Sequence, residues 1–277
     1  MTTPLKNAAF AMYKYSGLMG AQERIAHWSG RRFMSVVVFH RVTDAIPPDG
    51  LTVATAWFRG FCALMRDRFN VVTLSELNRL LITGTTPPRR TVAITFDDCY
   101  RDNLFAARVL AEHGLPATFF VPTRYVDTDH VFPWDAHLKR MPNLTWDDVR
   151  EMRRLGHDFE SHTASHVDLG TVGPDEARSE LAESKRTLED TLGRPVRFLA
   201  YPYGGRNNFR PEYLPLARSL GYEACFSCFG GFIEPRRRGH VLPREAMPYF
   251  RSLTQLEIHL SGCMGWYHQL KRRVGLL

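Results

Sequence analysis

The 277-residue chain is poor in cysteine: Cys62, Cys99, Cys225, Cys228 and Cys263 form an odd, scattered set. That excludes the paired framework of a small secreted domain and fits a reducing compartment. Cys225 and Cys228 make a C-x-x-C, but no second pair stands opposite to complete a four-sulfur zinc site, so both read as packing residues. No run approaches the roughly 20 apolar residues of a membrane span. The apolar stretch from Ala8 is interrupted by Lys14, too soon for a secretory core of about 7 to 15 residues, and the expected location is the cytoplasm. Helix-turn-helix, zinc-finger and RNA-binding signatures are missing, as are internal repeats and low-complexity tracts, so nucleic acid is not an expected partner.

What is present is the composition of a globular protein, with 44% hydrophobic, 12% aromatic and 23% charged residues. A domain of this size buries roughly 70 to 75% of the surface its unfolded chain exposes, so it needs no structural metal. Any metal would be there for chemistry. The formal charge is +7, with short basic clusters at Arg31-Arg32, Arg236-Arg237-Arg238 and Lys271-Arg272-Arg273. Either an anionic surface or substrate lies near them, or they are solvated corners of a slightly basic protein.

Short β-rich runs alternate with helical segments along most of the chain. Ser35 to Phe39, Thr91 to Phe96, Ala117 to Val121, Asp158 to Ser161, Val196 to Tyr201 and Tyr222 to Phe226 read as strands from their branched and aromatic content. Helices are predicted at Thr55 to Arg68, Leu74 to Leu81, Asn103 to His113, Trp146 to Leu155, Pro174 to Leu192 and Pro211 to Leu220, several closed by glycine. Strands separated by such helices pair in parallel through right-handed crossovers, giving an α/β sheet or barrel. The expected organisation is an amphipathic helical extension over 1–32, a catalytic unit over 33–250 and a basic amphipathic tail over 251–277. The two ends either lie on an acidic membrane face, where apolar area and basic charge act together, or pack on the core.

The polar residues of interest fall at the carboxyl ends of predicted strands, where barrel enzymes assemble their sites. Asp97 and Asp98 follow an apolar strand directly, so one carboxylate can bind a cation while its neighbour, pointing the other way, acts as a base. The competing reading is a helix N-cap. His162 and His166 are four apart and share a face on a helical turn. With Asp98 they make a two-histidine, one-carboxylate set that leaves a coordination position open for water, as in catalytic rather than structural zinc. The glutamate of a zincin helix is lacking, so the metalloprotease reading fails.

Thr95-Phe96-Asp97-Asp98, then Ser161-His162-Thr163-Ala164-Ser165-His166, then Ala200-Tyr201-Pro202-Tyr203-Gly204, in this order and spacing, resemble the first three motifs of the polysaccharide deacetylases. The resemblance covers roughly Val36 to Pro248. It implies a distorted (β/α) barrel of about seven parallel strands and a divalent metal on Asp98, His162 and His166. Zinc is the usual choice, or another transition metal such as Co2+ or Ni2+. Asp97 would match the general base. Two departures stand out. The arginine that commonly opens the third motif and holds the catalytic aspartate is replaced by Ala200, with Arg244 the candidate substitute. The late Leu-x-His motif that supplies the general acid is also missing. A branch similar to the poly-N-acetylglucosamine deacetylases places that histidine early, in a strand ending Tyr-His-x-Val, which Val38-Phe39-His40-Arg41-Val42 resembles. His40 is therefore the expected acid unless it merely caps the first strand; His240 and His259 are poorer candidates.

Amide hydrolysis needs an activated water, a stabilised oxyanion and a proton donor. The metal with Asp97, the Tyr203 backbone N–H and His40 would supply them. Trp134, Tyr201 and Tyr203 offer flat faces to sugar rings, and Asp135 an acceptor for a sugar hydroxyl. The expected function is removal of an acetyl or related acyl group from an amino sugar in a polysaccharide or lipid-linked glycan, with an anionic membrane as a second partner. Hydrolysis of a small non-sugar amide, or glycan binding without turnover, remain alternatives.

Overall fold

A computed structural model describes residues 3–28, 32–138, 141–235, 241–247, 250 and 252–263. The chain opens with α1 (Thr3–Tyr15) and α2 (Leu18–Trp28), then enters β1 (Met34–Phe39), a short parallel pair β2 (Arg41–Val42) and β3 (Thr52–Val53), and α3 (Thr55–Arg68). Next come β4 (Asn70–Val71), α4 (Leu74–Thr83), β5 (Thr91–Phe96), α5 (Asn103–Glu112) and β6 (Thr118–Val121). A 3-10 turn at Pro133–Asp135 precedes α6 (Trp146–Arg154), β7 (Asp158–Ser161), α7 (Pro174–Leu192), β8 (Phe198–Ala200) and α8 (Tyr213–Ser219). The chain continues through β9 (Ala224–Phe226), β10 (Val241–Leu242), β11 (Glu245–Ala246) and α9 (Leu253–Leu260).

The main sheet runs β10-β9-β8-β7-β6-β5-β1-β11, and every pairing in it is parallel. Its two edges belong to one stretch of chain. Val241–Leu242 pairs with β9, and Glu245–Ala246, two residues further on, pairs with β1. The intervening Pro243 lacks the N–H that would continue a ladder, so this broken seventh strand curls the sheet into a distorted (β/α) barrel.

Side chains alternate across each strand, and two apolar layers result. Val37, Phe39, Val92, Ile94, Phe96, Phe119 and Phe159 pack outward against helix residues including Phe58, Phe61 and Leu110. Val36, Ala93, Phe120, Phe198, Ala200, Phe226 and Leu242 fill the interior, joined by Leu74, Leu77 and Leu80 of α4. The same alternation carries Thr95 and then Asp97 inward in phase with Ala93. Helix starts follow ordinary cap chemistry: Thr145 and Asp148 form a reciprocal capping box on α6.

The amino-terminal extension is two helices, not one, because the chain turns at Ser16-Gly17, where Gly17 takes φ +83°. Both helices pack onto α9: Phe10, Tyr13 and Met19 meet Ile258 and Cys263. Buried Glu257 of α9 pairs with Lys14 (2.6 Å), Arg68 (3.2 Å) and Arg90 (3.1 Å). The helical part of the expected tail is thus buried rather than amphipathic on the surface, with Leu256, Ile258, His259 and Leu260 all inside. The rest of that tail, residues 264–277 with the 271–273 basic cluster, lies outside the described residues, as do Arg31 and Arg236 to Arg238.

Candidate active site

Asp97 ends the inward row of β5, and its N–H donates to the Phe39 carbonyl at 2.9 Å, which locks the ends of β5 and β1 together. Arg244, at the break in the seventh strand, grips Asp97 with two parallel bonds: Nη1 to Oδ1 and Nη2 to Oδ2, each 2.6 Å. The guanidinium is fully buried and also donates to the Ser227 carbonyl (3.0 Å), Thr95 Oγ1 (3.2 Å) and Cys228 Sγ (3.2 Å). Burial alone would push the Asp97 carboxyl up; the Arg244 charge, with His162, its hydrogen bonds and His40, overrides this and holds it below the usual carboxylate range.

The next residue leaves the strand. Asp98 has φ +66°, and its carboxylate meets His162 Nε2 (3.6 Å) and His166 Nε2 (3.2 Å). One ligand atom from each of the three lies within 4.8 Å of the others, and all three residues are buried. The histidines do not share a helical turn as their spacing suggested. They sit on a loop in which Thr163 (φ +64°) and His166 (φ +56°) are left-handed, because its backbone groups bond elsewhere. Glu180 of α7 accepts from the N–H of Ala164 (2.9 Å) and Ser165 (2.8 Å), and the Arg124 N–H donates to the Ala164 carbonyl (2.9 Å). Glu180 has no signature in sequence; it is one more carboxylate in a polar helix.

These residues fit a divalent cation. Both Asp98 oxygens are buried, and beyond the two imidazoles they meet no hydrogen-bond donor among the described residues, an expensive state for a carboxylate with no cation to neutralise it. His162 Nδ1 bonds the Ala200 carbonyl at 2.7 Å, which leaves Nε2 as the free lone pair, the usual outer support of a metal-binding imidazole. Burial lowers the His162 pKa to about 4, so that lone pair is available at neutral pH. Burial opposes the charge on Asp98, yet the His166 bond and the nearby imidazoles keep its pKa down at about 2.

His40 follows β1 in phase with Val36 and Val38. Its carbonyl accepts from Asn103 Nδ2 at 2.7 Å, and its Nδ1 is buried without a partner among the described residues. It lies in the same neighbourhood as both aspartates. His240 lies outside the described residues, while His259 sits on α9 beside Glu245 (3.3 Å), Phe232 and Phe250.

Of the aromatic candidates, Tyr203 (φ +62°) is exposed and leans on His166 and Trp134, with ring centroids 5.0 and 5.9 Å apart. Half-buried Trp134 also reaches His166 (5.1 Å) and donates its Nε1–H to Tyr100 Oη at 3.0 Å. Two expectations need correction. Tyr201 is buried, with its hydroxyl on the Gly204 (3.3 Å) and Gly205 (3.1 Å) carbonyls, so it shapes the loop and presents no face to a sugar. Asp135 is buried between Arg41 and Tyr100 and has no free oxygen for a sugar hydroxyl; it anchors the Trp134 turn. Cys228, which the sequence offered only as a packing residue, lies 3.9 Å from Asp97 Oδ2 and directly under the Tyr203 loop: a Cβ on Gly204 would come within 2.5 Å of it.

The polysaccharide deacetylase family matches this chain over residues 84–225, and the chain belongs to that family. A Bacillus subtilis relative named for the same family, YxkH, is 27% identical over 192 residues, 69% of this chain and 62% of its own length. The chitooligosaccharide deacetylase of Bradyrhizobium sp. is 32% identical over 127 residues, 44% of this chain and 49% of its own. The chain thus spans about half to three-fifths of the length of these relatives. Among solved structures, the Streptococcus pyogenes deacetylase PplD in complex with acetate superposes with a TM-score of 0.69 at 24% identity, over 82% of this chain and 97% of that one. IcaB from Ammonifex degensii gives 0.69 at 20% identity, over 83% and 97%. At these identities the likeness is one of fold.

Proposed function

We propose that the protein is a metal-dependent hydrolase that removes an acetyl or related acyl group from the nitrogen of an amino sugar within a glycan. The observation that carries this reading is a carboxylate clamped by a buried arginine, Asp97 on Arg244, beside a second carboxylate aimed at two histidines. Asp98, His162 and His166 would hold the ion, with zinc, Co2+ or Ni2+ suited to the mixed imidazole and carboxylate donors. When bound, a divalent ion lowers the pKa of water toward about 7 and polarises an acyl oxygen.

The chain's own groups do the rest. Asp97, kept ionised by Arg244, accepts the proton of the attacking water. The Tyr203 backbone N–H donates to the oxyanion that develops on the acyl carbon. His40 gives a proton to the amide nitrogen as its bond to that carbon breaks, releasing the carboxylic acid and the free amino sugar. Tyr203 and Trp134, beside His166, provide the wall on which a sugar ring can rest.

Two departures from the family pattern motivate a binding-only module, the missing third-motif arginine and the relocated histidine; the bond from Arg244 to the Asp97 carboxylate answers the first and supports turnover. The test is acetate release from N-acetylglucosamine oligomers, run beside simple linear and cyclic amides, with metal analysis of each protein. Asp97→Asn is expected to retain its metal and lose about 10²- to 10⁴-fold in turnover. His162→Ala is expected to lose both metal and turnover. Full activity in Asp97→Asn, or release from the simple amides alone, contradicts the proposal.

A further inference from the structure

The α1–α2 hairpin meets the body through both apolar and ionic contacts, Phe10, Tyr13 and Met19 lying against Ile258 and Cys263, and it is apolar again where it faces out. Its inner side is pinned by Lys14 on Glu257 and by Glu23, which pairs with Arg90 (2.6 Å) and Arg89 (3.1 Å). Its outer side presents Met12 (72% exposed), Tyr15 (77%), Leu18 (60%), Ile25 (70%) and Trp28 (89%). Met12 and Tyr15 are three apart on α1, and Leu18, Ile25 and Trp28 follow one face of α2, with Arg24 exposed beside Trp28 at i,i+4. Single exposed apolar side chains are ordinary, but five large ones on one helical hairpin mark a contact surface.

The charge of the chain says what kind of surface would meet it. Residues 1–32 contain Lys6, Lys14, Arg24, Arg31 and Arg32 against Glu23 alone, a net +4. Residues 264–277 contain Lys271, Arg272 and Arg273 and no acid, a net +3. The 231 residues between them hold 28 cations and 28 anions, so the entire +7 of the protein sits in the two end segments. Those segments start from one place: the Cys263 carbonyl accepts from Gln22 Nε2 at 2.7 Å, and Cys263 Sγ donates to the Met19 carbonyl at 3.7 Å. Lys14 and the single acid, Glu23, are both turned inward, onto Glu257 and onto Arg90 and Arg89, while Arg24 is exposed beside Trp28. An apolar face on a segment of net positive charge is what an interfacial helix needs to bind anionic lipid. A second copy would instead bring like charges face to face.

We propose that the outer face of the α1–α2 hairpin seats the protein peripherally on a membrane bearing anionic lipid, with the mouth of the barrel turned away from the bilayer. The orientation follows from β5. Arg90, which binds the hairpin, immediately precedes that strand, and Asp97 immediately follows it. Six residues of strand separate them by about 20 Å. The glycan segment reaching Asp97 therefore stands off from the lipid headgroups rather than among them. Docking itself is independent of the hydrolase reading; only the statement about the glycan rests on it.

The experiment uses the full chain and sedimentation with phosphatidylcholine vesicles prepared with and without phosphatidylglycerol, at low and high salt. The wild type should partition onto the phosphatidylglycerol vesicles only, less so as salt rises. The double variant I25S/W28S should partition about tenfold less, with the same far-UV circular dichroism and melting temperature. Acetate release from soluble oligomers should be equal in the two proteins, so failure of docking and failure of the hydrolase reading are read separately. No partitioning onto phosphatidylglycerol, equal partitioning of the double variant, or a dimer in light scattering that I25S/W28S dissolves would each overturn the proposal, the last by giving the face to a second copy.

Discussion

Asp97 and Asp98 are adjacent, both fully buried, and opposite in circumstance. Asp97 has a guanidinium on both oxygens, whereas Asp98 has none among the described residues and only the two imidazoles. Removing the guanidinium while keeping the carboxylate isolates the first role. Arg244→Met leaves a buried charge unpaired and is expected to cost about 3–5 kcal/mol of stability, read from denaturant unfolding. The sign of its effect on activity is also fixed. Arg244 holds the Asp97 carboxyl down, so without it the carboxyl ionises only at higher pH. The acidic limb of kcat/KM should move upward, and Arg244→Lys should recover part of the shift. An unmoved limb would show that Asp97 is not the group titrating. For Asp98 the expectation differs. Because its oxygens face only the two imidazoles among the described residues, metal-free Asp98→Asn should melt no lower than metal-free wild type, the amide being cheaper to bury than the ion. Added zinc at about 100 times its Kd stabilises by about 2.7 kcal/mol, so wild type should gain about 5–10 °C and the variant nothing, in paired thermal melts.

At the scale of elements, several strands and helices were legible to the residue. Thr91–Phe96 and Asp158–Ser161 have the expected bounds, as do the helices Thr55–Arg68 and Pro174–Leu192. The seventh strand was not, because two residues on either side of Pro243-Arg244 carry no periodicity; they are strands only because β9 and β1 stand beside them. The histidine loop was misread as a helical turn for a related reason. A four-residue spacing cannot distinguish a turn from a loop whose N–H groups are taken by a glutamate sixteen residues away. That dependence gives a prediction. Glu180→Gln keeps the size of the side chain but loses the charge that fastens Ala164 and Ser165, so His166 is less well held. Metal affinity should fall about 10- to 100-fold by competition with a chromophoric chelator, while the melting curve of the metal-free protein changes little.

For the whole molecule, the barrel was foreseen from the alternation of strands and helices, and the residues around Asp98 from their positions at strand ends. The relation of the amino-terminal segment to the body was not, since the amphipathic pattern allowed either side to face in. Ion pairing decided it: Glu257, buried on α9, gathers cations from α1, α3 and the residue before β5, and so ties the first helix, the last described helix and the barrel at one point. Burial opposes its ionisation, but Lys14 and Arg90 hold the carboxyl below the usual glutamate range. A carboxyl depressed in the folded state stabilises above its unfolded pKa, and that contribution is lost as pH falls through the folded value. Glu257→Gln should therefore cost about 2–3 kcal/mol near neutral pH, and the gap between variant and wild type should narrow steadily in acid. Because the hairpin rides on this contact while the barrel has its own core, proteolysis of Glu257→Gln should cut first within residues 1–32 and leave the barrel intact. A gap in stability that stays constant from neutral to acid pH, or cleavage that begins in the barrel, would mean the hairpin is held by its apolar contacts alone.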